Sequence, residues 1–206
     1  LINELMQGGL GQGELGVVVA PAGIGKSWVL SALGAYAISQ KLNVVHYTLE
    51  LNESYVGLRY DSIFSGVENQ NLKYHKEEVQ EKIFDLDGKL TIKYYPTKAC
   101  TVNTLGAHLK KVTSFGGEIN MVLVDYADIM RDVNKTTEMR HALGNIYEDL
   151  RGLAGELQVP IWTASQANRS ALDEDVIEAT KVAESYAKVM TADFVMSLSR
   201  KVEDKI

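Results

Sequence analysis

Gly16 to Leu33 read GVVVAPAGIGKSWVLSAL. The stretch opens on Val17, Val18, Val19 and Ala20, an apolar run with the β-branched content of a buried strand. The turn Ala20-Pro21-Ala22-Gly23-Ile24-Gly25-Lys26-Ser27 follows. After it Val29, Leu30, Leu33 and Ala37 recur with the period of a helix. Strand, glycine-bearing turn and helix in that order are the setting of a phosphate-binding loop. Successive backbone N–H groups in such a turn converge on an anion, and the helix N-terminus adds partial positive charge. Gly23 and Gly25 allow positive φ and a close backbone approach. Lys26 is placed to reach the β- and γ-phosphates, and the Ser27 hydroxyl to hold Mg2+. The usual pattern begins with glycine, and this chain has Ala20 there; the Gly25-Lys26-Ser27 triplet is intact. A glycine-rich turn without a ligand is the plain alternative, and the flanking strand and helix argue against it.

The chain has 206 residues, enough for one α/β domain with a sizeable core. The net charge of -6 excludes a generally basic nucleic-acid coat, so any nucleic-acid contact must be local. Cys100 is the only cysteine, which excludes an intrachain disulfide and a cysteine-built zinc site and suits the cytoplasm. No apolar run reaches the ~18 residues of a membrane span, and the start, Leu1-Ile2-Asn3-Glu4, has no basic leader. The chain lacks an initiator Met, and the expectation is a fragment of a longer protein whose residues 1–206 form one domain.

Along the chain, Leu1 to Met6 read as a short helix and Asn43 to Leu49 as a second strand ending in Glu50. Asn52 or Ser54 caps a helix running to about Phe64. A helix is expected over Glu77 to Leu86 and a strand over Leu90 to Tyr95, stopped by Pro96. Val102, Leu105, Leu109 and Val112 mark a helix closed by Gly116-Gly117. Met121 to Val124 form a strand ending in Asp125, and Arg131 to Thr137 a polar loop. Met139, Leu143, Ile146, Leu150, Leu153 and Leu157 line one face of a long helix. Val159 to Ser165 read as a strand ending at Gln166, Asn168 to Ala179 as a loop, Lys181 to Met190 as a helix and Phe194 to Leu198 as a last strand. Strands without polar alternation, separated by helices, predict a mostly parallel sheet covered on both faces.

Ligands of such sheets sit beyond the carboxyl ends of the strands. Four polar residues end these strands: Lys26, Glu50, Asp125 and Gln166. Asp125 follows four apolar residues, as the Mg2+-associated carboxylate of phosphate-loop NTPases does. Glu50 reads equally as the group that orients and deprotonates an attacking water or as an exposed loop carboxylate. Gln166 reads equally as an amide contacting the γ-phosphate or as a polar strand terminus. His46, inside an apolar strand, is expected in the core. Arg131 and Lys135 after Asp125, and Arg169 after Gln166, are the residues placed to touch a polyanion, with solvated surface charge as the alternative.

The order APAGIGKS, TLE (Thr48 to Glu50), MVLVDYADIM (Met121 to Met130), PIWTASQANRS (Pro160 to Ser170) and ESYAKVMTADFVM (Glu184 to Met196) resembles the RecA-like motor domain of hexameric replicative DNA helicases of the DnaB class, in particular the T4-type phage enzymes. The lead-in Gly8 to Leu15 and the segment Tyr94 to Thr97 share the resemblance, which covers nearly the whole chain. It implies a RecA-like P-loop NTPase fold and an ATP-hydrolysing motor with ATP as substrate. It implies that Ala20 to Ser27 cradle the nucleotide, with Lys26 on the phosphates and Ser27 and Asp125 on Mg2+. Glu50 becomes the catalytic base and Gln166 the γ-phosphate sensor. Arg169 matches an arginine of the family's segment after that glutamine. The implied partners are single-stranded DNA, five further copies in a ring, primase and a helicase loader. The family's trans-acting arginine finger lies on later strands, and neither Arg200 nor Lys201 clearly matches it, so the isolated chain is expected to hydrolyse ATP poorly. A RecA/RadA-type recombinase and a regulatory ATP-binding module acting on a protein partner are the rival readings.

Overall fold

Residues 8–134, 136–167 and 187–199 are described in the computed structural model. The strands are β1 (Leu15–Ala20), β2 (Val44–Thr48), β3 (Leu90–Tyr94), β4 (Met121–Asp125), β5 (Ile161–Gln166) and β6 (Phe194–Ser197). They form one sheet in the order β3-β2-β4-β5-β1-β6, with every pairing parallel. Helices α1 (Lys26–Ser39), α2 (Glu53–Ser65), α3 (Lys76–Phe84), α4 (Val102–Ser114), α5 (Met139–Leu157) and α6 (Ala187–Thr191) connect them.

Two cores result, one on each face of the sheet. Leu15, Val17 and Val19 of β1 join Leu105, Leu109, Ile146 and Leu150 from α4 and α5. Val18 of the same strand joins Leu30, Ile38, Val56 and Tyr60 from α1 and α2. Successive side chains of a strand point to opposite faces, so a strand covered on both sides must be apolar throughout. All six residues of β1 are buried, as the unbroken run Val17–Ala20 led one to expect.

Several boundaries differ from the sequence expectation for identifiable reasons. β5 starts at Ile161 rather than Val159 and takes in Gln166. Pro160 has no N–H for the ladder; only its carbonyl engages, accepting from Val122. Asn52, not Ser54, caps α2, its Oδ1 accepting from the Tyr55 N–H at 3.0 Å. α3 begins at Lys76 and ends at Phe84. The polar stretch before it holds a short 3-10 turn, Leu72–Tyr74, and a second one, Ala127–Ile129, follows β4 directly. α1 has no simple apolar stripe. Ser31, Gly34 and Ala35 are buried beside Leu30 and Ile38, because the helix lies against both the sheet and α2. The readings for Leu1 to Met6 and Asn168 to Ala179 lie outside the described residues. Of the helix expected over Lys181 to Met190, the described part is α6.

His46 is fully buried, its Nδ1 2.9 Å from the Tyr60 hydroxyl. Burial, and then the charge of Arg59, lower its imidazole to about 3. The unfolded chain therefore binds this proton first, so the stability tied to neutral His46 is complete above about pH 6.5 and falls as the pH drops towards about 3, by up to ~1.4 kcal/mol per pH unit. His46→Gln is expected to flatten the loss of Tm on acidification by one proton's worth of slope. Thermal melts of the two proteins across that window check it; parallel curves would contradict a neutral buried imidazole.

A candidate nucleotide site at the carboxyl ends of the strands

The register of the sheet assembles the site. Ala20 lies opposite Gln166 across β1 and β5, and Thr48 opposite Asp125 across β2 and β4. Two backbone bonds continue these alignments past the strand ends: Ala167 N–H donates to the Ala20 carbonyl at 3.0 Å and Leu49 N–H to the Asp125 carbonyl at 2.8 Å. Three of the four polar residues expected from the sequence, Lys26, Glu50 and Gln166, thus line one cleft, and the fourth, Asp125, is buried and bonded to Ser27 of its lining. A cavity of about 300 Å³ opens there, lined by Gly23, Lys26, Ser27, Glu50, Arg59 and Gln166 among others.

Gly23 and Gly25 have φ of +78° and +113°, and a methyl built on either meets nothing within 4 Å. Backbone conformation, not space, therefore demands glycine in this loop. Lys26 Nζ donates to the carbonyls of Ala20 at 3.2 Å and Pro21 at 3.3 Å, which centres the ammonium over the loop. Burial lowers its pKa, opposed by the carboxylates of Asp128, Asp125 and Glu50.

Ser27, in the first turn of α1, donates its hydroxyl to Asp125 Oδ1 at 3.1 Å. Asp125 is 1% exposed. Burial raises its pKa, which the Ser27 hydrogen bond and the Arg59 charge oppose. Both groups are oxygen donors of the kind Mg2+ takes, so the pair fits that ion. The Asp125-Tyr126 peptide bond is cis.

Glu50 is exposed on the cavity rim. A side-chain turn places it there: Thr48 Oγ1 donates to the Leu51 carbonyl at 2.7 Å and accepts from the Leu51 N–H at 3.2 Å. Gln166 is the last residue of β5, and its N–H donates to Asp128 Oδ2 at 3.1 Å.

Two further charged residues, Arg59 in the lining of the cleft and Asp128 outside it, were not expected from the sequence. Arg59 of α2 lies 4.0 Å from Asp125 Oδ2, with its guanidinium 5.5 Å over the Trp28 ring. Its Nη1 is buried without a hydrogen-bond partner among the described residues. The available signal was its spacing: Arg59 stands between Val56 and Ile63, a cation within the apolar stripe of its helix. Asp128 follows Asp125 by one short turn, and nothing in the spacing distinguishes it from a surface acid. Of the residues expected to touch a polyanion, Arg131 is exposed, its N–H donating to the Cys100 carbonyl at 3.0 Å. Lys135 and Arg169 lie outside the described residues.

The model of the DnaB-like helicase C terminal domain family matches residues 2–205. The chain belongs to that family. This DnaB-like domain is 26% identical over 212 residues to the DnaB-like replicative helicase of Enterobacteria phage T4, covering 96% of the chain and 44% of the phage protein. It is 27% identical over 173 residues to the replicative DNA helicase DnaB of Helicobacter pylori strain J99, covering 81% of the chain and 35% of that protein. The DnaB-like domain therefore spans less than half the length of these curated relatives. Among solved structures, one ATPase domain superposes with a TM-score of 0.82 at 17% identity, over 97% of this chain and 74% of that one. A DnaB-like replicative helicase, solved in a study of its interactions with primase, superposes with a TM-score of 0.79 at 16% identity, over 92% of this chain and 48% of that one. These likenesses establish the RecA-like fold expected from the sequence. Family membership favours neither the recombinase nor the regulatory module. Among the described residues no helix is long and apolar enough to cross a membrane.

Proposed function

We propose that this DnaB-like domain is the ATP-hydrolysing motor of a replicative DNA helicase that moves along single-stranded DNA and unwinds duplex. One observation carries the site assignment: the Ser27 hydroxyl and the Asp125 carboxylate meet at 3.1 Å beside the glycine loop, in the cleft lined by Lys26, Glu50 and Gln166. The backbone of Ala20 to Ser27 holds the phosphates, and Lys26 neutralises the β- and γ-oxygens. Ser27 and Asp125 hold Mg2+, which offsets the charge developing on the phosphates. Glu50 orients water against the γ-phosphorus and accepts its proton. Gln166 contacts the γ-phosphate and ties its presence to the chain beyond β5.

Arg131, Lys135 and Arg169 leave the same strand ends and are proposed to face the DNA. The net charge of -6 then requires that basic loops line a channel while the acidic surface faces away. The working form is a homohexamer in the cytoplasm, with primase and a loader as partners. The test is ATP turnover of the full-length protein with and without single-stranded DNA, alongside its mass with Mg2+ and ATP. A hexamer whose turnover rises with DNA, and which displaces a strand, is the expected result. Strand exchange without unwinding would replace this reading with the recombinase, and a monomer indifferent to DNA with the regulatory module.

A further inference from the structure

The carboxylate of Asp128 gathers groups from three elements, and none of the nucleotide roles above uses it. Oδ1 accepts from the Tyr147 hydroxyl of α5 at 2.7 Å. Oδ2 accepts from the Gln166 N–H at 3.1 Å and the Ser165 hydroxyl at 3.3 Å. The ammonium of Lys188, on α6, lies 3.0 Å from the same oxygen. Lys188 is 1% exposed, also donates to Ser165 Oγ at 3.4 Å, and sits 5.8 Å from the Tyr147 ring.

Removing two charges from water costs several kcal/mol, and an apolar pair of similar volume commonly does as well for stability. Stability alone is therefore a poor reason for a lysine at this depth. The sheet supplies a better one. β4 pairs with β5 only from Ile161 to Thr163, whereas β1 follows β5 as far as Gln166. Past Thr163, among the described residues, no strand lies on the β4 side of β5. Neighbouring N–H groups of a strand point to opposite sides. The Ala167 N–H goes to Ala20 of β1, so the Gln166 N–H faces the side where β4 has ended. Asp128 Oδ2 accepts that N–H in place of the missing strand.

We infer that Asp128 and Lys188 form a positioning pair for Gln166. Asp128 fixes the Gln166 backbone, Lys188 balances and orients the carboxylate, and the Gln166 amide is thereby presented to the nucleotide cleft. The pair also joins the cleft to α6, the element leading into β6. The inference rests on the reading of Gln166 as the group that senses the γ-phosphate.

The experiment compares full-length Lys188→Met, Asp128→Asn, Lys188→Arg and Gln166→Ala with the unaltered protein. The readouts are the affinity ratio of a non-hydrolysable ATP analogue to ADP, and kcat and KM for ATP. A small misplacement of a reacting-site group costs about tenfold to about a hundredfold in rate. Lys188→Met and Asp128→Asn are expected to lose that much in kcat, to lose preference for the triphosphate as Gln166→Ala does, and to keep KM within about twofold. Lys188→Arg, which keeps the charge, is expected to restore both readouts. A structural pair would lower Tm and leave the triphosphate-to-diphosphate ratio alone. If Gln166→Ala changes the ratio while folded Lys188→Met and Asp128→Asn do not, the positioning pair is refuted and the sensor stands. If Gln166→Ala itself leaves the ratio unchanged, the sensor reading falls and the inference with it. Should Lys188→Met fail to fold, Asp128→Asn decides on the same ratio.

Discussion

Glu50→Gln in the full-length protein is expected to lower DNA-stimulated ATP turnover by about 10²–10⁴-fold and to leave ATP binding nearly unchanged. The substitution keeps size and hydrogen-bonding capacity while removing the basic oxygen. It should not disturb the chain locally, because the turn that carries the residue is closed by Thr48 and the Leu51 backbone rather than by the Glu50 side chain. Nor does it position the groups proposed to hold phosphate, since Lys26 rests on the Ala20 and Pro21 carbonyls and Ser27 on Asp125. Lost proton transfer with intact binding appears as a fall in kcat at constant nucleotide affinity. Single-turnover hydrolysis and equilibrium binding of a labelled nucleotide measure the two separately. Turnover within about threefold of the unaltered protein would remove Glu50 from the chemistry. The alternative acid, Asp125, is buried and committed to Ser27, which makes it a poor proton acceptor for water in the cleft.

A large stability effect is expected at Gly16 of β1, the strand between β5 and the edge strand β6. A methyl placed there lies 2.5 Å from Cε3 of Trp162 and 2.7 Å from Cδ2 and Cζ3. Trp162 is opposite Gly16 on β5 and 2% exposed, packed edge-to-face with Phe194 on the far side of β1. The indole is almost wholly buried, and interiors packed to crystal density leave a ring little room to retreat. Overpacking of this kind costs typically 1–3 kcal/mol, and Gly16→Ala should sit at about the upper end because a rigid ring, not a flexible tip, must give way. Trp162→Leu removes the clashing atoms at a cavity cost of its own. The double variant should therefore be more stable than the sum of the single losses predicts, by about 1 kcal/mol or more in a denaturant cycle. Strict additivity would mean that the two residues do not meet.

Gly16 also shows how legibility was divided. The run Val17 to Ala20 announces a buried strand without help, because burial on both faces leaves no room for polar alternation. The glycine before it carries no signal, since its necessity lies in an indole far along the chain. The helices were read from periodicity, with α4 and α5 close to their observed limits. In α1 the periodic Leu30 and Ala37 lie in the core and Val29 and Leu33 pack against it, while the buried Gly34, set against the Tyr60 hydroxyl of α2, carried no signal.

The same division runs through the cleft. The placing of Lys26 and Ser27 was legible because their setting is local: strand, turn and helix are contiguous, and the glycines are dictated by φ. Glu50, Asp125 and Gln166 were legible only as strand ends. That they face one another follows from the register that sets Thr48 against Asp125 and Ala20 against Gln166. Asp128 and Lys188 carried no signal, and Arg59 only that of a cation within the apolar stripe of its helix. Each is a charged residue whose partner is distant in the chain, and a sequence pattern records spacing along the chain, not proximity across it. By itself the sequence determined the strand and helix pattern, the parallel class of the sheet and the glycine-bearing turn between β1 and α1, all products of local periodicity and backbone conformation. Only the tertiary structure decided the strand order, the cleft and the buried Asp128–Lys188 pair, because parallel strands meet through long crossovers whose pairing local sequence does not encode.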